Sequence, residues 1–255
     1  MDEYLEETFY NLLDEEKHMS IKPIYGYITN QKDINEQMRA ILVDWIIEVH
    51  FNFNLKQETL YLTIWIIDTY LSFEIISRSK LQLLGIAAFF ISCKYNEVLC
   101  PRIIDFINIT DNAYEVKELL EIEQKILKKL DFNILVPTPL QFYDILAKIF
   151  NFDNEQYYLG KYFMDSNLID YNMISYPSSI IALSCAYIVM KYYNIKDYYL
   201  LYNINDKNHL FKENLIKKAA KQLCFFVNNL NQTNLISVKQ KYSLDKFCNV
   251  SKLCQ

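Results

Sequence analysis

Two eleven-residue stretches, Leu83–Cys93 and Ile180–Met190, run without a charged side chain and are studded with small residues. They lie 97 residues apart, and the offset behaves as an internal repeat. It carries Gly85 onto Ala182, Ala87 onto Ser184, Ala88 onto Cys185 and Lys94 onto Lys191. A helix that is apolar on every side has to be surrounded by other elements, and small side chains let neighbouring backbones come close. Each stretch is roughly half of what a membrane crossing takes. The pattern therefore implies two helical bundles, each assembled around its own third helix.

The punctuation agrees. The 255 residues hold only 3 Gly and 5 Pro. A β-sandwich needs a turn signal about every 8–12 residues, and a nucleotide-binding α/β fold needs a glycine-rich phosphate loop. Gly26, Gly85 and Gly160 stand alone and supply neither. Periodicity predicts helices over 2–17, 35–53, 57–71, 78–95, a short one after Pro101, and 114–130. Pro137 and Pro139 then interrupt the chain, with Thr138 at an N-cap and Pro139 at the first helical position. A second series follows over 139–150, 155–171, 177–193 and 210–230, with a less regular segment at 197–205. The remainder, through SVKQKYSLDKF, reads as a tail laid on the surface.

Several function classes are disfavoured. A net charge of −5 with three arginines, Arg39, Arg78 and Arg102, lacks the basic footprint of a nucleic-acid binder. The six cysteines (Cys93, Cys100, Cys185, Cys224, Cys248 and Cys254) include no C-x-x-C, and three lie inside apolar helical runs. They read as reduced thiols of a cytosolic or nuclear protein. The acidic, amphipathic first helix is unlike a secretory segment. His18, His50 and His209 are far apart, and no zinc-protease, hydrolase or P-loop motif occurs. Asp105 and Asp111 belong to no acidic cluster. The residues thus show no catalytic motif, metal site or cofactor site, and a carboxylate pair brought together only by the fold stays open.

The segment MRAILVDWIIEVH (38–50) carries more apolar circumference than packing on one side uses. Met38, Ile41 and Trp45 form a stripe at i, i+3 and i+7. Either neighbouring helices sandwich it, or it faces solvent and docks a partner. Arg39 and Asp68 sit within apolar helices, where a buried charge needs a partner, and a pair across helices is expected. Lys94 suits the C-terminal dipole of its helix. Taken alone, it and Glu123 read as ordinary surface charges.

At these residues the chain resembles the cyclins. MRAILVDW (38–45) carries the likeness, with QETLYLTIWIIDTYL (57–71), KLQLLGIAAFFISCKYNE (80–97), INITDNAY (107–114) and LLEIEQKILKKLDFNI (119–134). In the second half LIDYNMISYPSSIIALSCAYIVMKYY (168–193) and VKQKYSLDKF (238–247) are most similar to B-type mitotic cyclins. The resemblance implies an all-α chain: an N-terminal helix and connector (1–34), a kinase-binding first cyclin box (35–136), a second box (137–236), each a five-helix bundle, and a C-terminal tail (237–255). It implies no enzyme, but the regulatory partner of a cyclin-dependent protein kinase in G2/M, found in nucleus and cytoplasm. The kinase's mobile αC helix is expected on the third and fifth helices of the first box, at Lys94, Glu123, Tyr95, Leu127, Phe132 and Ile134. Met38, Ile41, Trp45, Glu48, Leu81 and Gln82 match the patch that docks R-x-L motifs of substrates or inhibitors. Arg39 and Asp68 match the family's buried ion pair. No cofactor, nucleic acid or membrane is implied.

The chain departs from the family pattern in three places. Thr69 follows Asp68 where arginine is usual, Asn96 replaces an acidic residue, and Cys100-Pro101 stands where two prolines are common. The alternatives are a TFIIB-like transcription factor, an all-helical enzyme, which the missing motifs disfavour, and, within the family, a transcription-associated cyclin. The acidic balance and the scarcity of arginine argue against the TFIIB-like factor.

Overall fold

With so few glycines, this chain ends several helices on asparagine or aspartate and starts several with carboxylates, some borrowed from neighbouring helices. The computed structural model describes residues 3–203, 209–230 and 232–253. In chain order these form α1 (Glu3–His18), α2 (Glu36–Asn52), α3 (Gln57–Phe73), α4 (Leu81–Asn96), α5 (Ile103–Asn108) and α6 (Val116–Lys129). There follow α7 (Pro139–Ile149), α8 (Asn154–Ile169), α9 (Ser178–Tyr192), α10 (Leu200–Asn203), α11 (His209–Leu230) and α12 (Ser237–Lys241). No strand occurs among the described residues. Asn54, Asn151 and Asn194 adopt the left-handed conformation after α2, α7 and α9, with φ of 52°, 50° and 55°. Glycine usually takes that position, and asparagine tolerates it best among the others. Residues 204–205 of the irregular segment, and Cys254, lie outside the described residues.

The chain divides into two compact units, Ser20–Val136 and one that joins Met1–Met19 to Pro137–Gln255. In Ser20–Val136 every residue of α4 from Leu83 to Cys93 is buried, enclosed by α2, α3, α5 and α6. Gly85 lets α2 close in: a Cβ there would sit 2.8 Å from Leu42 Cδ1. Burial raises the Cys93 thiol well above its ordinary range, which leaves it protonated and inert. The chain enters α4 through a 3-10 turn, Arg78–Lys80, rather than a continuous helix from residue 78. At the other end of α4, Glu97 accepts from Lys56 N at 2.8 Å and Thr59 Oγ1 at 2.5 Å, and so caps the start of α3.

In the other unit α9 is the enclosed helix, packed by α7, α8 and α11. Gly160 of α8 has no alternative residue, because a Cβ there would lie 1.8 Å from the buried Tyr143 hydroxyl. That hydroxyl reaches the Tyr157 carbonyl at 3.2 Å. Helix α1 packs on α7, with Phe9 edge-on to Phe142 at 5.2 Å. Its Glu16 carboxylate accepts from Ser179 N at 3.0 Å and Ser179 Oγ at 2.5 Å, a negative charge at the N-terminus of α9. The predicted helix over 155–171 stops at Ile169, where Asp170 accepts from Asn172 N and starts a 3-10 turn.

The closing segment corrects the sequence reading. It is not laid on the surface: Val238, Lys241, Tyr242 and Val250 are buried. Asp165 of α8 draws it inward, accepting from Lys241 Nζ at 2.7 Å and Tyr242 OH at 3.0 Å. Burial first, and Asp165 second, hold the Tyr242 phenol well above its usual range, so it stays a donor.

Candidate functional site

The surface of interest lies in Ser20–Val136, where α4 and α6 pack together. Helix α6 carries one apolar stripe, and Leu119, Ile122 and Ile126 on it are buried against the bundle. Glu123 falls beside that stripe and is itself buried, at 7% exposure, which a surface charge would not be. Lys94, in the last turn of α4, donates to Glu123 Oε1. Its ammonium also sits 4.3 Å above the centre of the Phe90 ring. The two groups therefore stand together at one end of the helix pair, the lysine side chain half exposed and the carboxylate mostly covered.

Around this pair the structure leaves large apolar side chains uncovered. Tyr95 is 50% exposed and Phe132 67%, while Leu127 and Ile134 are half-buried. Phe132 breaks a second preference: with φ of 57° it occupies the left-handed region, as does Asp131 before it. That conformation costs an L-residue about 1–2 kcal/mol and is uncommon for a bulky aromatic. The turn is held by Phe132 N donating to Leu127 O at 2.8 Å. An aromatic that is both solvent-facing and conformationally strained marks a site shaped for something other than stability. Val98 and Leu99, each 87% exposed just after α4, and Leu120, one turn before Glu123, extend the apolar exposure. Sequence reasoning misses them, although two adjacent apolar residues in the connector EVLCPR are a signal in retrospect.

A second set lies on α2 and the first turn of α4. Ile41 is 54% exposed, Met38 and Trp45 are half-buried, and Glu48 is exposed. Ile41 thus faces outward, and Met38 and Trp45 on either side of it are partly covered. Gln82 is half-buried, but Leu81 is buried and contributes packing beneath the patch rather than open surface. Arg39 points the other way. Its Nε and Nη2 donate to Asp68 Oδ1 and Oδ2, both at 2.6 Å, and Tyr27 OH donates to Asp68 Oδ1 at 2.8 Å. Burial alone would lower the Arg39 pKa, but the Asp68 carboxylate outweighs it and the net shift is upward. This bidentate pair fixes α2 to α3 behind the stripe. Next to it Thr69 is buried, and its hydroxyl finds no hydrogen-bond partner among the described residues. Asn96 holds its place through its backbone, its carbonyl accepting from Lys56 Nζ at 2.8 Å.

No group of metal-ligating side chains is assembled among the described residues, and no helix there is long and apolar enough to cross a membrane.

Comparison with known proteins accounts for both halves. Residues 7–135 match the family model "Cyclin, N-terminal domain" and residues 137–255 match "Cyclin, C-terminal domain". G2/mitotic-specific cyclin-B2 of Homo sapiens is 38% identical over 259 residues, covering 99% of this chain and 63% of that protein. The protein of the same name from Gallus gallus is 35% identical over 258 residues, covering 99% of this chain and 62% of its own length. The chain thus spans just under two thirds of the curated relatives it matches. Among solved structures, a viral cyclin from herpesvirus saimiri superposes with a TM-score of 0.73 at 18% identity, over 86% of this chain and 97% of that one. A chain of a yeast RNA polymerase II CTD kinase complex gives 0.65 at 15% identity, over 90% of this chain and 80% of that one. The fold of tandem helical bundles is therefore shared with solved structures, and by its two matched segments the chain belongs to the cyclin family.

Proposed function

We propose that this chain is the non-catalytic, regulatory subunit of a cyclin-dependent protein kinase that acts in mitosis. Family membership and relatives named G2/mitotic-specific support the reading. The observation that carries it is the α4–α6 ridge, with the Lys94–Glu123 pair and the exposed, strained Phe132 on one surface. The pair offers a cation and a carboxylate to main-chain groups of a partner's helix, and Tyr95, Leu127, Phe132 and Ile134 offer it apolar contact. Binding there stabilises the active arrangement of the kinase only by its differential affinity for that arrangement. The test is co-purification with a kinase from source lysate, followed by phosphorylation of histone by the eluate. An eluate without kinase activity, from intact chain, removes the reading.

Phe132→Asn separates folding from binding. Asparagine tolerates the left-handed conformation, so the variant is expected to be more stable by about 1 kcal/mol in urea unfolding. Losing an apolar anchor of this size weakens kinase binding by roughly tenfold or more, read by titration calorimetry. Unchanged affinity places Phe132 outside the interface.

The stripe of Met38, Ile41 and Trp45, with Glu48 beside it, is proposed to dock R-x-L motifs, Glu48 attracting the arginine. Met38→Ala/Trp45→Ala is expected to raise KM for an R-x-L-bearing substrate about tenfold, without changing activity on a short peptide that lacks the motif. If both substrates suffer alike, the stripe serves packing only.

A further inference from the structure

The internal repeat places a second pair of third and fifth helices, α9 and α11, in the unit that contains Pro137–Gln255. Between them opens a cleft of ≈ 760 Å³, large enough to receive two or three side chains of a ligand. Its floor is apolar: Phe163 of α8, Ile188 of α9, and Ala220 and Val227 of α11 line it and are buried. Its rim is cationic, with Lys191 from the end of α9 and Lys217 and Lys221 from α11. No Asp or Glu is among the described residues that line it.

Lys191 occupies the repeat position of Lys94, but its surroundings are opposite in charge. Lys94 meets a carboxylate on the facing helix. Lys191 lies instead 3.4 Å over the Tyr198 ring and 5.7 Å from the Tyr187 ring, and the facing helix adds two more lysines to the cleft. Glu213 answers Lys217 along α11, which leaves an excess of positive charge. That excess stands in a chain of net charge −5. Lys191 and Lys221 over an apolar floor, beside a Lys217 already held by Glu213, are complementary to a ligand that is anionic and apolar at once. A nucleic-acid backbone would present charge without apolar side chains, and the net negative charge of the chain would repel its length.

We propose that the α9–α11 cleft is a docking site for an acidic peptide segment of a partner protein, one that seats aromatic or aliphatic side chains on the floor while its carboxylates face Lys191 and Lys221. A helix laid in a groove between two helices is the recognition mode this geometry favours. The two units then present repeat-related surfaces of different charge, and so select different partners.

The full chain is panned against a display library of random peptides, and the most enriched peptide is synthesised with a fluorescein label and titrated by polarisation. Enriched sequences are expected to combine Asp or Glu with Phe, Leu or Trp. The Lys191→Glu/Lys221→Glu variant is expected to bind the labelled peptide at least about tenfold more weakly, and added salt to weaken wild-type binding. Far-UV circular dichroism checks the fold, and Lys191→Gln/Lys221→Gln replaces the reversal if that variant unfolds. The proposal is overturned by no enrichment, by neutral or basic sequences, or by binding that ignores both variants. Displacement of the peptide by poly-uridylate or by phosphatidylserine vesicles equally overturns it, assigning the cleft to RNA or to a lipid surface.

Discussion

Exchanging the charges of one pair, as Lys94→Glu/Glu123→Lys, is expected to abolish kinase activation while the chain stays folded. The swap keeps a cation beside a carboxylate, so the attraction between α4 and α6 survives. Its cost is a carboxylate in the last turn of α4, where the helix dipole disfavours it by about 0.3–1 kcal/mol, and the loss of the cation over the Phe90 ring. A partner reading the same surface meets both charges inverted. Each charge-assisted hydrogen bond contributes about 1.5–3 kcal/mol, so losing two weakens binding on the order of a thousandfold. Single reversals are less informative. Glu123→Lys sets two cations against each other at a mostly buried position, and folding and binding fail together. Histone phosphorylation by a reconstituted kinase and a thermal melt of the free chain read the two effects apart. A swapped pair that activates like wild type would give Lys94 and Glu123 a purely structural role.

Arg39→Ala is expected to destabilise Ser20–Val136 by about 3–5 kcal/mol, a large share of what holds a domain folded. It leaves the Asp68 carboxylate buried with both of its oxygens stripped of the guanidinium N–H groups they meet at 2.6 Å. Replacing both ions together with Tyr27, as Arg39→Met/Asp68→Leu/Tyr27→Phe, removes the charges and the hydroxyl that serves them. That variant is expected to recover most of the loss, because apolar side chains of similar volume need no partner. Urea unfolding of the three proteins, followed by circular dichroism, is the measurement. Near-equal stability of Arg39→Ala and wild type would mean that water or a neighbour takes over the guanidinium's role.

The core and the ridge were not equally readable from the residues. Leu83–Cys93 and Ile180–Met190 must be central because no orientation of such a helix gives it a wet side, and small residues there have no other use. Asn35 and Asp153 announce the starts of α2 and α8, each side chain accepting from the backbone N–H three residues on. These are local signals. The burial of Glu123 is not, since it depends on Lys94 of another helix, 29 positions earlier. Likewise SVKQKYSLDKF looks polar because Lys241 is counted as a surface charge until Asp165, 76 positions away, is seen to take it inside. The exposure of Phe132 is a matter of backbone conformation, and nothing in its neighbours' identities specifies a positive φ. Side chains whose state is fixed by a partner distant in sequence remain invisible to periodicity.

The seating of α1 on α7 has a consequence for how the chain is made. Ser20–Val136 is continuous, so it can close as soon as it clears the ribosome. Phe9 and Glu16 emerge earlier, yet Phe142 and Ser179, which they meet, are translated after that whole unit. At about 5–20 residues per second, the apolar face of α1 waits on the order of ten seconds for its seat. During that interval it stays open to chaperones, and the bundle of Pro137–Gln255 is complete only once α1 has been retrieved.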